Sequence, residues 1–121
     1  MQYIELPQAL AVSAWCGFVV RDRGLLASAL ARPAAGLFGE DAYPALELKA
    51  AALASSIAQN HALVDGNKRF TLLLTAAFIE INGCSLTLTN DEMFELILSI
   101  AQRQLEIDAI AEVLGAHMRA H

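Results

Sequence analysis

The sequence has few of the residues that build disulfide-stabilised or nucleic-acid-binding proteins. Only two of its 121 residues are cysteines, Cys16 and Cys84, too few for a disulfide framework or a zinc site made of cysteines. We therefore expect both to be small residues of the core. The formal net charge is −5 and no stripe of basic residues is present, which argues against direct binding to nucleic acid.

Long apolar runs are also absent, although 56% of the residues are hydrophobic. The most apolar segment, Phe70–Ile81, is shorter than the roughly 20 residues that span a bilayer. It also follows two cations and contains Glu80, so it predicts a buried core helix and no membrane contact. Residues Met1–Leu10 lack the basic start and apolar run of a signal peptide, and we expect a cytoplasmic protein.

Alternating patterns of β-branched and aromatic residues are nearly absent, whereas alanine and leucine dominate. The sequence therefore predicts one all-α domain over residues 1–121. The predicted helices are Pro7–Trp15, Gly24–Ala31, Pro44–Asn60, a central helix from Asn67 to Asn82, a helix from Thr89 to Gln102, and Ile107–Arg119. Between the second and third helices, Ala34–Pro44 is predicted to be a loop because it contains two glycines and two acidic residues.

Two local signals mark helix ends. Asn82-Gly83 is typical of the left-handed cap that ends a helix, here the central one. Thr89 and Glu92 have the spacing of a capping box, in which each side chain accepts a hydrogen bond from the backbone N–H of the other residue.

The third predicted helix carries a histidine at its end. One apolar stripe recurs there at steps of three and four, as one helix face does: Leu46, Ala50, Leu53 and Ile57. A further step of four lands on His61. We therefore expect this side chain to continue the buried face.

The segment HALVDGNKRF, residues 61–70, concentrates charged side chains at the start of the central helix. A helix N-terminus carries partial positive charge and binds anions. Lys68 and Arg69 suit this position if a phosphate offsets their charge, and Gly66 lets the backbone approach that phosphate closely. Asp65 is an oxygen ligand suited to Mg²⁺. His61 has the only side chain nearby that changes charge near neutral pH, so it is the candidate general base.

Each of these residues also has an ordinary structural interpretation. His61 would then be a helix cap or a hydrogen-bonded core residue. Asp65 would be the N-cap of the central helix, and Asn67 would be a turn residue. Lys68 and Arg69 would form a solvated helix face. Their occurrence together within nine residues, between two buried helices, favours a functional site.

The order of these residues resembles the Fic/Doc signature, H-x-F-x-[DE]-[GA]-N-[KG]-R. In this sequence it reads HALVDGNKR, and lysine after the asparagine resembles the death-on-curing (Doc) branch, whereas Fic adenylyltransferases have glycine there. The resemblance covers Arg21–Gly83 and includes RDRGLLASALARP, FGEDAYP and KAAALASSIAQNH. The sequence departs from the family at Ala62-Leu63, where Pro-Phe is usual.

This resemblance implies a compact bundle of about six helices, with the signature in a loop leading into the buried central helix. It implies a toxin of a toxin–antitoxin module, neutralised when a helix of the antitoxin fills the groove beside the active site. The Doc branch transfers the terminal phosphate of ATP, with Mg²⁺, to a threonine of elongation factor Tu, which stops translation. The loop at Phe38–Tyr43 falls where the family places the flap that docks the target segment.

The resemblance also implies roles for individual residues. His61 would take the proton from the target hydroxyl, and Asp65 would hold Mg²⁺. The phosphates would be held, and their charge neutralised, by the N–H groups around Gly66 and by Asn67, Lys68 and Arg69.

Three functions remain open at this point. Leu72 stands where Fic enzymes carry a second arginine, and Lys68 stands where they have glycine. The resemblance therefore favours a protein kinase over an enzyme that transfers AMP or another phosphate-linked group to a protein hydroxyl. The third function is that of a degenerate, non-catalytic module that binds an antitoxin. The intact pattern from His61 to Arg69 argues against that third function, whereas Ala62-Leu63 keeps it open.

Overall fold

The computed structural model describes all residues from 1 to 121, which form six α-helices and two short pairs of strands. The helices are α1 (Leu6–Cys16), α2 (Arg23–Ala31), α3 (Leu46–Asn60), α4 (Asn67–Ile81), α5 (Asn90–Ala101) and α6 (Ile107–Ala116). A 3-10 turn (Arg32–Ala34) follows α2, and the strands are β1 (Gly36–Leu37), β2 (Glu40–Asp41), β3 (Cys84–Leu86) and β4 (Met118–Ala120). The prediction of an all-α fold with about six helices is confirmed. None of these helices has the length and apolar character needed to cross a bilayer.

Helix α3 lies at the centre of the fold because small residues dominate its sequence. Every residue from Lys49 to Ala58 is buried, and the short alanine and serine side chains let neighbouring elements approach closely. The helix packs against α2, α4, α5, α6 and the 3-10 turn. Beside it, no residue of α4 between Phe70 and Ile79 is exposed, as expected for the predicted core helix.

Both predicted helix-end signals are confirmed. Gly83 follows the end of α4 with φ +89°, a conformation that glycine adopts without a Cβ clash. At the start of α5, the Glu92 N–H donates to the Thr89 hydroxyl at 3.1 Å, and the Thr89 N–H donates to the Glu92 carboxylate at 2.9 Å. This backbone hydrogen bond from Thr89 is the main reason that the pKa of Glu92 is lowered.

The segment Ala34–Pro44, predicted to be a loop, contains a β-hairpin instead. Strands β1 and β2 pair antiparallel, with Leu37 opposite Glu40. Phe38 and Gly39 form the two-residue turn, with φ of +53° and +80°, as tight hairpins require. Each strand is only two residues long, too short for an alternating pattern to be visible in the sequence.

A buried lysine connects this hairpin to the core. Lys49 of α3 is 1% exposed, and its Nζ lies 3.3 Å from a carboxylate oxygen of Asp41 in β2. The same Nζ donates to the carbonyl of Pro33 at 3.0 Å and lies 5.6 Å from the centre of the Tyr3 ring. A buried ammonium group needs such partners because an isolated buried charge is costly. Lys49 therefore joins the hairpin, the 3-10 turn and the N-terminal segment.

The last helix is shorter than predicted. Helix α6 ends at Ala116 instead of near Arg119, and Met118–Ala120 form β4. This strand pairs antiparallel with β3, with Cys84 opposite Ala120. The partner lies far away in the sequence, so local periodicity gives no sign of this pairing.

The two cysteines differ in burial. Cys84 in β3 is half-buried, whereas Cys16 at the end of α1 is exposed. The expectation that both are core residues is therefore wrong for Cys16. The physical reason is that α1 lies at the periphery and buries only Ala9 and Ser13.

Candidate active site

The segment from His61 to Arg69 forms a tight loop between α3 and α4. His61 caps the end of α3 in the left-handed conformation, with φ +52°. Gly66 is the N-cap of α4 with φ +81°. A Cβ at Gly66 would lie 2.6 Å from the ring of Phe18, so this position requires glycine for both space and conformation.

The predicted burial of His61 is wrong, since its side chain is exposed. Its left-handed backbone ends the helical periodicity that would otherwise continue the face of Ile57. The carbonyl of His61 accepts a hydrogen bond from the Arg21 guanidinium, whereas its imidazole makes no hydrogen bond within the chain. The ring is therefore free to contact a bound group.

The connection between α1 and α2 holds this loop in place. The N–H groups of Arg21 and Asp22 both donate to the carbonyl of Ala62, at 2.7 and 3.1 Å. Leu63 forms an isolated antiparallel bridge with Val20. Ala62 and Leu63, which stand where the family usually has Pro-Phe, are each only 2% exposed, so they still fill the core beneath the loop.

Asn67 uses its side chain to shape the loop. Its Nδ2 donates to the carbonyl of Leu63, and its Oδ1 accepts from the Leu63 N–H, both at 3.1 Å. Both ends of the amide are therefore engaged within the chain. The backbone N–H of Asn67, which has no acceptor in the chain, is available to a ligand.

The first turn of α4 presents three backbone N–H groups without an acceptor in the chain, those of Asn67, Lys68 and Arg69. The next N–H, that of Phe70, donates to the carbonyl of Gly66 at 2.9 Å. Three free donors at a helix N-terminus, with two cationic side chains on the same turn, favour an anion.

Asp65 lies exposed just before this turn. One of its carboxylate oxygens accepts the Gly66 N–H at 2.8 Å, and the N-cap position belongs to Gly66, so Asp65 does not cap α4. No group of three or more His, Cys, Asp or Glu side chains is placed to hold a metal ion. A single carboxylate fits Mg²⁺ nonetheless, because this ion keeps several waters and is usually bound by one or two carboxylates together with substrate phosphates.

All six predicted site residues line one cleft of about 290 Å³, close to the size of the smaller ligand pockets in proteins. The loop side consists of His61, Asp65, Gly66, Asn67, Lys68 and Arg69, together with Val64. Helices α3 and α5 supply the remaining walls through Ala58, Phe94 and Ala101. The fold thus brings the candidate base, carboxylate and cations to one opening.

The sequence analysis missed the wall contributed by α5. Phe94 is 44% exposed and borders both this cleft and an adjoining groove of about 420 Å³, which Arg69 and Leu72 also line. A signal was present in the sequence, because Phe94, Leu98 and Ala101 recur at helical spacing beside the buried stripe of α5.

The predicted docking loop, Phe38–Tyr43, lies in and after the β1–β2 hairpin and does not line the cleft. Phe38 at its turn is 96% exposed, and Leu37 beside it is 70% exposed. Strands β1 and β2 form a sheet of two strands, so each has one edge without a neighbouring strand. The hairpin therefore presents apolar side chains and open backbone groups to solvent.

Comparison with known proteins agrees with this geometry. The model of the Fic/DOC family matches residues 3–79, which include nearly all of α1 to α4 and the whole loop from His61 to Arg69. The chain belongs to the Fic/DOC family. It is also 47% identical over 103 residues to Toxin Doc of Mycolicibacterium smegmatis, which covers 84% of this chain and 79% of that protein. Together these matches confirm the resemblance to the Doc branch.

The Fic/DOC match ends before α5, although α5 forms one wall of the cleft. The family pattern therefore describes the loop side of the site. Phe94 and Ala101 of α5 add the wall on the other side of the cleft.

Proposed function

We propose that this protein is the toxin of a toxin–antitoxin module and acts as a protein kinase that transfers the terminal phosphate of ATP to a hydroxyl group of a protein. The observation that carries this proposal is the meeting, in one cleft, of an unengaged imidazole, three free N–H groups and two cations. Phosphoryl transfer depends mainly on positioning and on neutralising charge, and these groups supply both.

His61 acts as the general base in this proposal. Its ring is exposed to the cleft without a partner in the chain, so a ring nitrogen accepts the proton of the attacking hydroxyl. Lys68 and Arg69 neutralise the phosphates, which are also bound by the three N–H groups at the start of α4. Asn67 keeps the loop in shape through its amide and contributes its backbone N–H.

Asp65 is the residue that would hold Mg²⁺. One of its oxygens is engaged by the Gly66 N–H, which leaves the other for the ion. When bound, Mg²⁺ would neutralise part of the charge on the ATP phosphates.

The side chains beside Arg69 support phosphate transfer over AMP transfer. Leu72 and Leu73 line the adjoining groove, where the second arginine of Fic enzymes is replaced by Leu72. The cations that line the cleft, Lys68 and Arg69, both lie in the first turn of α4. The terminal phosphate of ATP then faces the base.

Two partner surfaces complete the proposal. The groove lined by Leu72, Leu73 and Phe94 adjoins the cleft and suits the apolar face of a helix, so we assign the antitoxin to it. The hairpin with Phe38 at its tip offers exposed apolar side chains and strand edges to an extended target segment. Elongation factor Tu, through one of its threonines, is the proposed target.

The test is the intact mass of elongation factor Tu after incubation with the protein, ATP and Mg²⁺. A gain of one phosphate, about 80 Da, is expected with the unmodified enzyme, because phosphorylation adds one such group to a hydroxyl side chain. His61→Ala should abolish this gain, and His121→Ala is the matched control, because it removes a histidine that does not line the cleft.

Two outcomes would contradict the proposal. A mass gain equal to AMP would show that the nucleotide binds in the opposite direction. An equal phosphate gain with His61→Ala would exclude this residue as the base.

A further inference from the structure

A second polar cavity, of about 300 Å³, lies on another face of α3. It shares no residue with the candidate active site, although α3 borders both. Its lining residues are Arg32 of the 3-10 turn, Ser55 and Gln59 of α3, Arg103, Leu105 and Glu106 between α5 and α6, and Ile107 at the start of α6.

Two guanidinium groups line this cavity without a carboxylate partner. Neither Arg32 nor Arg103 has a carboxylate oxygen within 4.0 Å, since the ion pairs of the chain join other residues. Arg32 is half-buried, and its guanidinium is fixed by donating to the Tyr43 hydroxyl at 3.2 Å and to the Ser56 hydroxyl at 3.0 Å. A fixed cation without a counter-ion favours a bound oxyanion.

The N-terminus of α6 opens at the same cavity. Ile107, the first residue of this ten-residue helix, forms part of the wall. The N-cap residue, Glu106, makes no side-chain hydrogen bond to the helix. The N–H groups of Ile107, Asp108 and Ala109 have no acceptor in the chain, and the first paired N–H is that of Ile110, which donates to the Glu106 carbonyl at 3.0 Å.

Ser55 provides an independent sign that the cavity receives a ligand. This residue is only 6% exposed, yet its hydroxyl makes no hydrogen bond within the chain. It is not sealed away from solvent, unlike the hydroxyl of Thr75, which is fully enclosed and without a partner. Buried hydroxyl groups are normally hydrogen-bonded, so a partner for Ser55 is expected from the cavity that it lines.

We propose that this cavity binds a small phosphate-type oxyanion. The anion is held by the guanidinium groups of Arg32 and Arg103, by the N–H groups at the start of α6, and by the hydroxyl of Ser55. The carboxylate of Glu106 also lines the cavity and opposes the anion, which limits its affinity. Inorganic phosphate and the phosphates of a nucleotide share this chemistry, and the site is independent of the proposed phosphoryl transfer.

The test is a titration of the protein, residues 1–121, with inorganic phosphate, in which the amide NMR signals of residues 107–109 are monitored. Ionic strength is kept constant with sodium chloride, and the titration is repeated in a Lys68→Gln/Arg69→Gln double variant to remove the anion site at α4. Saturable shifts at residues 107–109 are expected in both proteins. A parallel titration with ADP identifies the source, because a lower saturating concentration than for phosphate would indicate a nucleotide.

Arg103→Gln should weaken phosphate binding at residues 107–109 by about tenfold, since a hydrogen bond to a charged group is lost. Arg119→Gln is the matched control, because Arg119 is exposed in β4 and does not line the cavity. Ser55→Ala should weaken binding less and leave the far-UV spectrum unchanged. The proposal is overturned if shifts are confined to residues 66–69, if chloride alone reproduces them, or if Arg103→Gln binds phosphate as tightly as the unmodified protein.

Discussion

Helices α4 and α5 begin in opposite ways. Helix α5 starts with Thr89 and Glu92, which satisfy each other's backbone N–H groups and place a carboxylate in the first turn. Helix α4 starts with Gly66, which has no side chain to accept a hydrogen bond, and its first turn carries Lys68 and Arg69. The helix dipole favours the charges at the start of α5 and disfavours those at the start of α4.

This difference separates a helix start that is matched by its own side chains from one that favours a bound anion. The start of α5 pairs the N–H groups of Thr89 and Glu92 within the chain and places a carboxylate beside its remaining N–H groups, whereas the start of α4 leaves three N–H donors beside two cations. The same feature that weakens α4 in isolation thus favours an anion in the cleft, as the proposed phosphate binding requires. Variants at the N-termini of α4 and α5 should therefore change stability and activity in different combinations.

The largest effect is expected for His61→Gly at the entrance to the α4 loop. Loss of the base should lower the rate of phosphate transfer by about 10²–10⁴-fold. Glycine also relieves the left-handed backbone of this residue, so the free energy of unfolding should rise by about 1 kcal/mol. Single-turnover rates and urea unfolding measure the two quantities. An unchanged transfer rate would remove His61 from the mechanism.

Gly66→Ala should destabilise the start of α4. The new Cβ would lie 2.6 Å from the Phe18 ring at a residue with φ +81°. We expect the free energy of unfolding to fall by about 1–3 kcal/mol, as for other strained left-handed residues.

The matched control for Gly66→Ala is Gly83→Ala, where φ is +89° but nothing lies within 4 Å of the added Cβ. We expect a smaller loss of unfolding free energy for Gly83→Ala. The difference between the two losses then measures the clash separately from the backbone strain. Equal losses in urea unfolding would show that Phe18 moves aside freely.

Thr89→Ala breaks the capping box of α5. The free energy of unfolding should fall by about 1 kcal/mol, as for other N-cap replacements by alanine. Phosphate transfer by the folded protein should remain unchanged, since Thr89 does not line the cleft. Thermal unfolding and transfer assays test this, and a large loss of activity would show that the two helix starts are coupled.

Lys68→Glu should make the start of α4 resemble that of α5. An acidic side chain in the first turn should raise the free energy of unfolding by about 0.3–1 kcal/mol, because it interacts favourably with the helix dipole. Nucleotide binding should be lost at the same time. Urea unfolding with and without ATP distinguishes the two effects. Lys68→Gln only removes the charge, so its free energy of unfolding should lie between those of the unmodified protein and Lys68→Glu.

The smallest effect concerns pH. In the folded protein, the hydrogen bond from the Thr89 N–H lowers the pKa of Glu92 below its ordinary value of 4.5. Because the folded pKa is depressed, this contribution to stability is present above pH 4.5 and is lost as the pH falls through the folded value. Glu92→Gln should therefore flatten this part of the acid dependence of the unfolding midpoint. An identical pH dependence in the variant would exclude Glu92 as a contributor.

The sequence predicted those features that depend on local periodicity and local capping. Helices α3, α4 and α5, the capping box at Thr89 and the glycine after α4 follow from patterns within a few residues. The candidate site residues from His61 to Arg69 could also be named from the sequence, because they are contiguous in the chain.

Other features depend on conformations or distances that periodicity does not encode. The left-handed backbone of His61 itself turns this residue away from the core face that its spacing predicted. Strand β4 forms through pairing with distant β3, and Phe94 reaches the cleft only because α5 packs beside α4. Each of these results from tertiary structure.

The hydrogen bonds that reach the loop from the α1–α2 connection limit how far the signature can be transplanted. Ala62 accepts two N–H groups from that connection, and the Val64 N–H donates to the carbonyl of Val19 at 2.9 Å. The nine residues from His61 to Arg69 therefore hold their shape with help from a segment about 40 residues earlier in the chain. A graft of this loop alone into a fold without the α1–α2 connection would lose these backbone hydrogen bonds. A graft that also included residues 19–22 would keep the loop together with the segment that holds it.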